Sequence, residues 1–112
     1  MSNDATRAAL AVALSTVSGV TGYPRRPKVF KPGDAWPQWA GSERTDGRSF
    51  LESWNILVVL PADEPSADVF ADTRQAALLA ALSPVVFVDS FAPANIQAEG
   101  DVLGLLITGR SE

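Results

Sequence analysis

Trp54-Asn55-Ile56-Leu57-Val58-Val59-Leu60 closes a run from Arg48 to Leu60 that contains neither glycine nor proline and is rich in aromatic and β-branched residues. Such residues fit a pleated, packed surface, and the period of two sorts them cleanly. Trp54, Ile56, Val58 and Leu60 share one face, and Asn55, Leu57 and Val59 the other. A strand that is largely apolar on both faces belongs in the middle of a sheet, so Arg48–Leu60 is the candidate central strand.

Toward the N-terminus, Gly41–Gly47 has the composition of an exposed hairpin loop, with Asp46-Gly47 as its turn. Ala35–Trp39 precedes it as an edge strand, because Pro37 lacks the donor a central strand needs. Pro32-Gly33 is a strong turn signal, Val29-Phe30 a short extended piece, and Val20–Tyr23 a short strand broken by Pro24. Residues 3–18 read as a helix, capped by Asn3 or Asp4, with Gly19 at the left-handed position that follows a helix end. Leu10, Ala13, Leu14 and Val17 form its apolar stripe, opposite Asp4, Arg7, Ser15 and Ser18.

Toward the C-terminus, Pro61–Pro65 connects to a helix over about residues 65–83. Asp63 or Glu64 caps it, Asp68 and Asp72 suit the positive end of its dipole, and Ser83-Pro84 stops it. From Ala76 to Leu82 the helix is apolar all round, which predicts burial on more than one side, the second being a neighbouring subunit. Val85–Phe91 reads as a strand with Val85, Phe87 and Phe91 on one face and Val86 and Val88 on the other. Ala92–Gly100 brings the chain around or adds a short extended piece. Val102–Thr108 is the last strand, apolar on both sides. The expected fold is α/β of the α+β kind: a mixed or mostly antiparallel sheet with two helices on one face, in the order α-β-β-β-α-β-β. The other sheet face then needs cover, and oligomerisation is the economical way to supply it.

A chain of 112 residues predicts one domain over 1–112, burying roughly 65% of its unfolded surface. A hydrophobic content of 46% with a mean hydropathy of +0.09 indicates folding rather than disorder. No apolar run approaches the ~20 residues of a membrane helix. The N-terminus carries no secretory charge pattern, which reads as cytosolic. The net charge of −4 is unevenly spread. Residues 22–48 carry six basic and three acidic side chains, and residues 49–112 two basic and nine acidic ones. Two such electrostatic faces suit stacking against unlike partners better than wrapping nucleic acid.

Tyr23–Trp39 stands apart. It holds four of the eight prolines, four of the nine basic residues and two of the three tryptophans. Proline excludes a helix interior, and so much aromatic surface is wasted on a passive linker. Within this arm Trp36, Pro37 and Trp39 are the expected anchors to the sheet, while Arg25, Arg26, Lys28 and Lys31 are the expected docking residues for a partner. Cations interleaved with Tyr23, Phe30 and Trp36 are also compatible with stacking on single-stranded nucleic acid, against which stands the acidic whole.

Catalytic chemistry finds little footing. The absence of cysteine and histidine removes thiolate and imidazole chemistry and the usual zinc ligands. The carboxylate pairs Asp63/Glu64 and Asp68/Asp72 lie at a helix start, where capping explains them, and Glu99/Asp101 lies in a turn. No calcium-loop spacing and no phosphate-binding Gly-x-x-x-x-Gly-Lys-Ser/Thr is present. A serine nucleophile would need a lysine base, and both lysines, Lys28 and Lys31, lie in the arm. The chain reads as a non-enzyme without a cofactor or metal.

Taken in order, the Ala-rich leading helix, Gly22-Tyr23-Pro24-Arg25-Arg26-Pro27, Gly33-Asp34-Ala35-Trp36-Pro37-Gln38-Trp39 and Trp54-Asn55-Ile56-Leu57-Val58-Val59-Leu60-Pro61 resemble the tail terminator proteins of long-tailed bacteriophages, particularly those infecting actinobacteria. The resemblance spans nearly the whole chain. It implies an α/β subunit of a hexameric ring that caps the head-proximal end of the tail tube in the virion, after assembly in the host cytoplasm. Such a ring ends tube polymerisation, meets the tail tube protein and the head-tail connector protein, and lets DNA pass through its lumen without specific binding. On this reading Leu78, Leu79, Leu82, Leu105 and Ile107 are expected at subunit interfaces, excess carboxylates line the lumen, and the basic arm docks the tube or connector. Other readings are a connector or stopper component, an oligomeric small-ligand-binding domain of ferredoxin-like topology, and a nucleic-acid-binding module.

Overall fold

The central strand does lie at the centre. In the computed structural model, which describes residues 3–44, 50–97 and 101–111, β3 (Phe50–Val59) is the third of five strands in the spatial order β1-β2-β3-β5-β4. The other elements are α1 (Asn3–Ser15), β1 (Thr21–Gly22), β2 (Asp34–Arg44), α2 (Glu64–Leu82), β4 (Phe87–Gln97) and β5 (Asp101–Ser111). β1 pairs parallel to β2, and every other pairing is antiparallel. The sheet is therefore mixed and the fold α+β, in the expected order.

Both helices cover the same face. Leu10 and Leu14 from α1, and Ala67, Leu78 and Leu82 from α2, share one core with Ala35, Trp54, Ile56, Val58, Leu105 and Ile107 from the sheet. The register explains the selection: Ala35 faces Val58 across β2 and β3, and Ile56 faces Ile107 across β3 and β5, so one parity of each strand is inward. Trp54 is buried, and its indole N–H donates to the Ser111 hydroxyl at 3.0 Å. Arg7, assigned from periodicity to the solvent side of α1, instead places its guanidinium 5.2 Å from the Trp54 ring centre. Its aliphatic stem follows the apolar surface while the cation meets the π face.

α2 begins where the sequence indicates. Asp63 is the N-cap, in extended conformation, and accepts from the Ser66 backbone N–H at 3.0 Å; Pro65 follows in the first turn. α1 ends at Ser15, three residues short of the expected span, and the chain turns through Gly19 at φ 81°. Arg74 joins the two helices: its Nε donates to the Ser18 carbonyl at 2.9 Å, and its guanidinium stacks on Phe70 at 4.1 Å.

Pro37 is accommodated as an edge residue despite lying within an eleven-residue strand. The Ala35 carbonyl accepts from Tyr23 N–H on the β1 side, so Ala35 and Pro37 both direct their main-chain polar groups away from β3. β1 has ended by then, and no ladder bond is lost at the proline. The expected Asp46-Gly47 turn and the Arg48 strand start lie outside the described residues. What the Gly41–Gly47 assignment missed is that β2 continues through Gly41 to Arg44, past a register shift between Trp39 and Gly41.

β4 departs most from expectation. It runs to Gln97, so of the two readings of Ala92–Gly100 the extended piece holds for its first part, as a continuation of the same strand. A register shift between Val88 and Ser90 leaves Asp89 as an extra residue and reverses the parity behind it. Phe87 and Phe91 therefore point to opposite faces, not to one. Phe91 joins the helix-covered core, while Phe87 is exposed on the outer face beneath the Arg110 guanidinium, which also pairs with Asp89 at 2.9 Å.

The outer face is banded. One rank across four strands is Gln38, Asn55, Thr108 and Ser90, uncharged and polar, with the Ser90 and Thr108 hydroxyls 2.5 Å apart. The next rank is Trp36, Leu57, Leu106 and Ala92. Trp36 of this rank, with Val59 and Ile96, forms a second, smaller core, packed by Tyr23, Phe30, Leu57 and Val102. Part of the cover that oligomerisation was expected to supply thus comes from the chain's own arm.

Candidate docking surface

The segment from Tyr23 to Gly33 crosses the outer face without regular structure, held at its two ends. At the β1 end, Thr21 N–H donates to the Gly33 carbonyl at 2.9 Å and Tyr23 N–H to the Ala35 carbonyl at 2.8 Å. At the β2 end, Gly33 N–H reaches the Val59 carbonyl at 2.8 Å, and Asp34 Oδ2 accepts from Lys31 N–H at 3.0 Å, closing the Lys31–Asp34 turn. Gly33 has φ 95°, and a Cβ there would lie 2.3 Å from the Gly19 carbonyl oxygen. Only glycine permits both the left-handed backbone and that approach.

Trp36 is the anchor. It is fully buried, and the Phe30 ring packs on it at 5.2 Å between centres. Pro37 is likewise buried but faces the helix side, opposite Ile56, so it belongs to the sheet rather than to the arm. Trp39 is half exposed on that same side, and its indole N–H donates to Glu52 at 2.6 Å. It fastens the strand at its register shift and does not touch the arm's small core. The Ser42 hydroxyl, and then the Trp39 indole, hold the Glu52 carboxyl below the usual glutamate range. Two hydrogen bonds from Ser66 act likewise on Asp63.

The four cations divide into two pairs. Arg25 bridges to Asp4 at 2.8 Å, tying the arm to α1, although both side chains are well exposed. Arg26 stacks its guanidinium over Phe30 and Trp36, 5.2 and 5.8 Å from their ring centres. Lys28, in the bend of the arm, and Lys31, at the start of the turn into β2, are both exposed, and Val29 beside Lys28 is 87% exposed. The sequence reading paired Val29 with Phe30 as one extended piece; the structure sends Phe30 inward and Val29 outward.

Three of the expected interface residues are corrected. Leu78, Leu82 and Ile107 are wholly buried in the chain's own core, whereas Leu105, nearly buried in that core, also lines a cleft beside α2. Only Leu79 remains exposed, together with Ala76, Ala77 and Ala80 on the same helix. The all-apolar run therefore contributes Leu78 and Leu82 inward and a small-residue surface outward. Periodicity could not separate the two, since every position in the run is apolar.

Two carboxylates of α2, Asp68 and Asp72, are exposed one turn apart. Among the described residues no group of three or more metal-ligating side chains converges, and no helix is long and apolar enough to cross a membrane. The surface that stands out is the arm, held at its two ends by hydrogen bonds and exposing Lys28, Val29 and Lys31. In comparisons with known proteins, no family model matches the chain, and no curated sequence matches it.

Proposed function

We propose that the protein is a structural subunit of a bacteriophage virion, forming a ring that caps the head-proximal end of the tail tube. The ring ends tube polymerisation and provides the joint to the head connector. The reading rests on the sequence resemblance, and one observation carries it further: the resembling residues Gly33, Asp34 and Trp36 are those that fix the arm to the sheet. Their joint effect is an ordered arm with Lys28, Lys31 and Val29 outward, which suits a subunit that must recognise neighbours in a fixed geometry, because little ordering entropy is lost on docking. The head-proximal position and the six-fold stoichiometry come from the resemblance alone.

Electron microscopy of the purified protein, alone and with tail tubes, tests the reading. Six-fold rings seated at tube ends are expected. Rings that bind heads and ignore tubes would make it a connector or stopper component, and a persistent monomer that leaves tube length unregulated would sink it.

A further inference from the structure

The most exposed large apolar side chain on the arm and an apolar cleft elsewhere have matching chemistry. Between α2 and the β4–β5 hairpin runs a cleft of about 240 Å³. Ala67 and Ala71 of α2 line it from one side, and Leu60, Phe91, Leu103 and Leu105 of the sheet from the other. Its volume is that of about eight waters at roughly 30 Å³ each, which comfortably admits an isopropyl group and the methylenes beside it. Asp68 lies on its rim, and Asp72 follows one turn along α2. The arm tip offers the complement: Val29 projecting between Lys28 and Lys31.

We propose that Val29 of one subunit seats in this cleft of a second copy of the chain, with Lys28 and Lys31 meeting Asp68 and Asp72. The occupant follows from charge and from position. The arm is basic and the second half of the chain acidic, so each copy carries both halves of a complementary contact. Within one subunit Val29 does not fill the cleft: it is 87% exposed and is not one of the cleft's lining residues, while its neighbour Phe30 is held on Trp36. A knob on one subunit that fills a hole on the next joins copies head to tail, and such a contact propagates until its rotation closes a ring.

This inference rests on the ring reading above and names the contact that builds the ring. Its test is sedimentation velocity and native mass spectrometry of the full chain. Val29→Asp, with an unchanged circular dichroism spectrum and unfolding midpoint, should weaken assembly at least about tenfold, the scale of one well-packed anchor. K28E/K31E and D68K/D72K should each weaken assembly. An equimolar mixture of those two double variants should restore it, as should the chain carrying all four changes, because every contact is then complementary again. A misfolded chain cannot be rescued in that way. Rings that persist unchanged in Val29→Asp and in both double variants would overturn the contact and leave the ring reading standing. A wild type that stops at the dimer would overturn the head-to-tail geometry. A wild type that stays monomeric at high concentration would overturn both.

Discussion

The two faces of the sheet are covered by different means. On the inner face two helices lay Leu10, Leu14, Leu78 and Leu82 on Trp54, Ile56, Val58 and Ile107, giving one continuous core. On the outer face an irregular arm covers Trp36, Val59 and Ile96, and a rank of uncharged polar side chains lies beyond it. The helices satisfy their own backbone groups and contribute mainly apolar burial. The arm cannot, so it is held by a few specific bonds at Gly33, Asp34, Tyr23 and Lys31. The inner face therefore holds most of the stability, and the outer face holds a shape. That division leaves the arm tip available for recognition without placing the fold at risk.

The largest expected effect separates the two faces. Trp54→Ala removes a buried ring, its bond to Ser111 and the platform under Arg7, and should lower unfolding free energy by about 3–5 kcal/mol in urea denaturation. Trp36→Ala should cost less, about 2–3 kcal/mol. The arm can settle into the space, and the change also removes a buried indole N–H that has no partner among the described residues. Its distinguishing sign is local: trypsin cleavage after Arg25 and Lys28 should accelerate far more in Trp36→Ala than in Trp54→Ala at equal residual stability. Equal acceleration in both would erase the distinction between the faces.

A smaller effect tests the strand fastening near Trp39. Glu52 and Asp63 titrate below their ordinary ranges in the folded chain because of hydrogen bonds to their charged forms. A depressed folded-state value means that their contribution is complete above the ordinary carboxylate range and is lost as pH falls through the folded values. Glu52→Gln should therefore flatten the loss of melting temperature between neutral and acid pH, with Asp63→Asn adding a similar share. The smallest effect is at the arm's outer tether. Arg25→Ala breaks a pair whose side chains are 65% and 80% exposed, and should leave stability within about 0.5 kcal/mol. A larger loss would mean that the arm depends on α1 as well as on Trp36.

The sequence by itself determined every element that announces itself locally. The glycine- and proline-free run ending at Leu60 became the central strand, Asp63 capped α2 through Ser66, and Gly19 and Gly33 took positive φ where a helix end and a turn required them. Pro37 fell on an edge because its missing donor leaves it few other places. These are effects of a few neighbouring residues, and local pattern records them.

Tertiary structure alone decided which equivalent-looking residues face where. The extra residue at Asp89 reversed Phe87 relative to Phe91, and nothing in a run of alternating apolar residues announces a register shift. Leu78 and Leu79 are chemically alike and adjacent, yet one is buried and the other exposed, because only the position of the sheet beneath α2 distinguishes them. Phe30 and Val29 part company for the same reason: Trp36, brought alongside by the pairing of β2 with β3, offers a surface to one of them. The cleft beside Asp68 exists only once α2 lies over the β4–β5 hairpin. Composition fixes how much apolar and charged surface a chain must place; packing between segments distant in sequence fixes which of it is left to meet a partner.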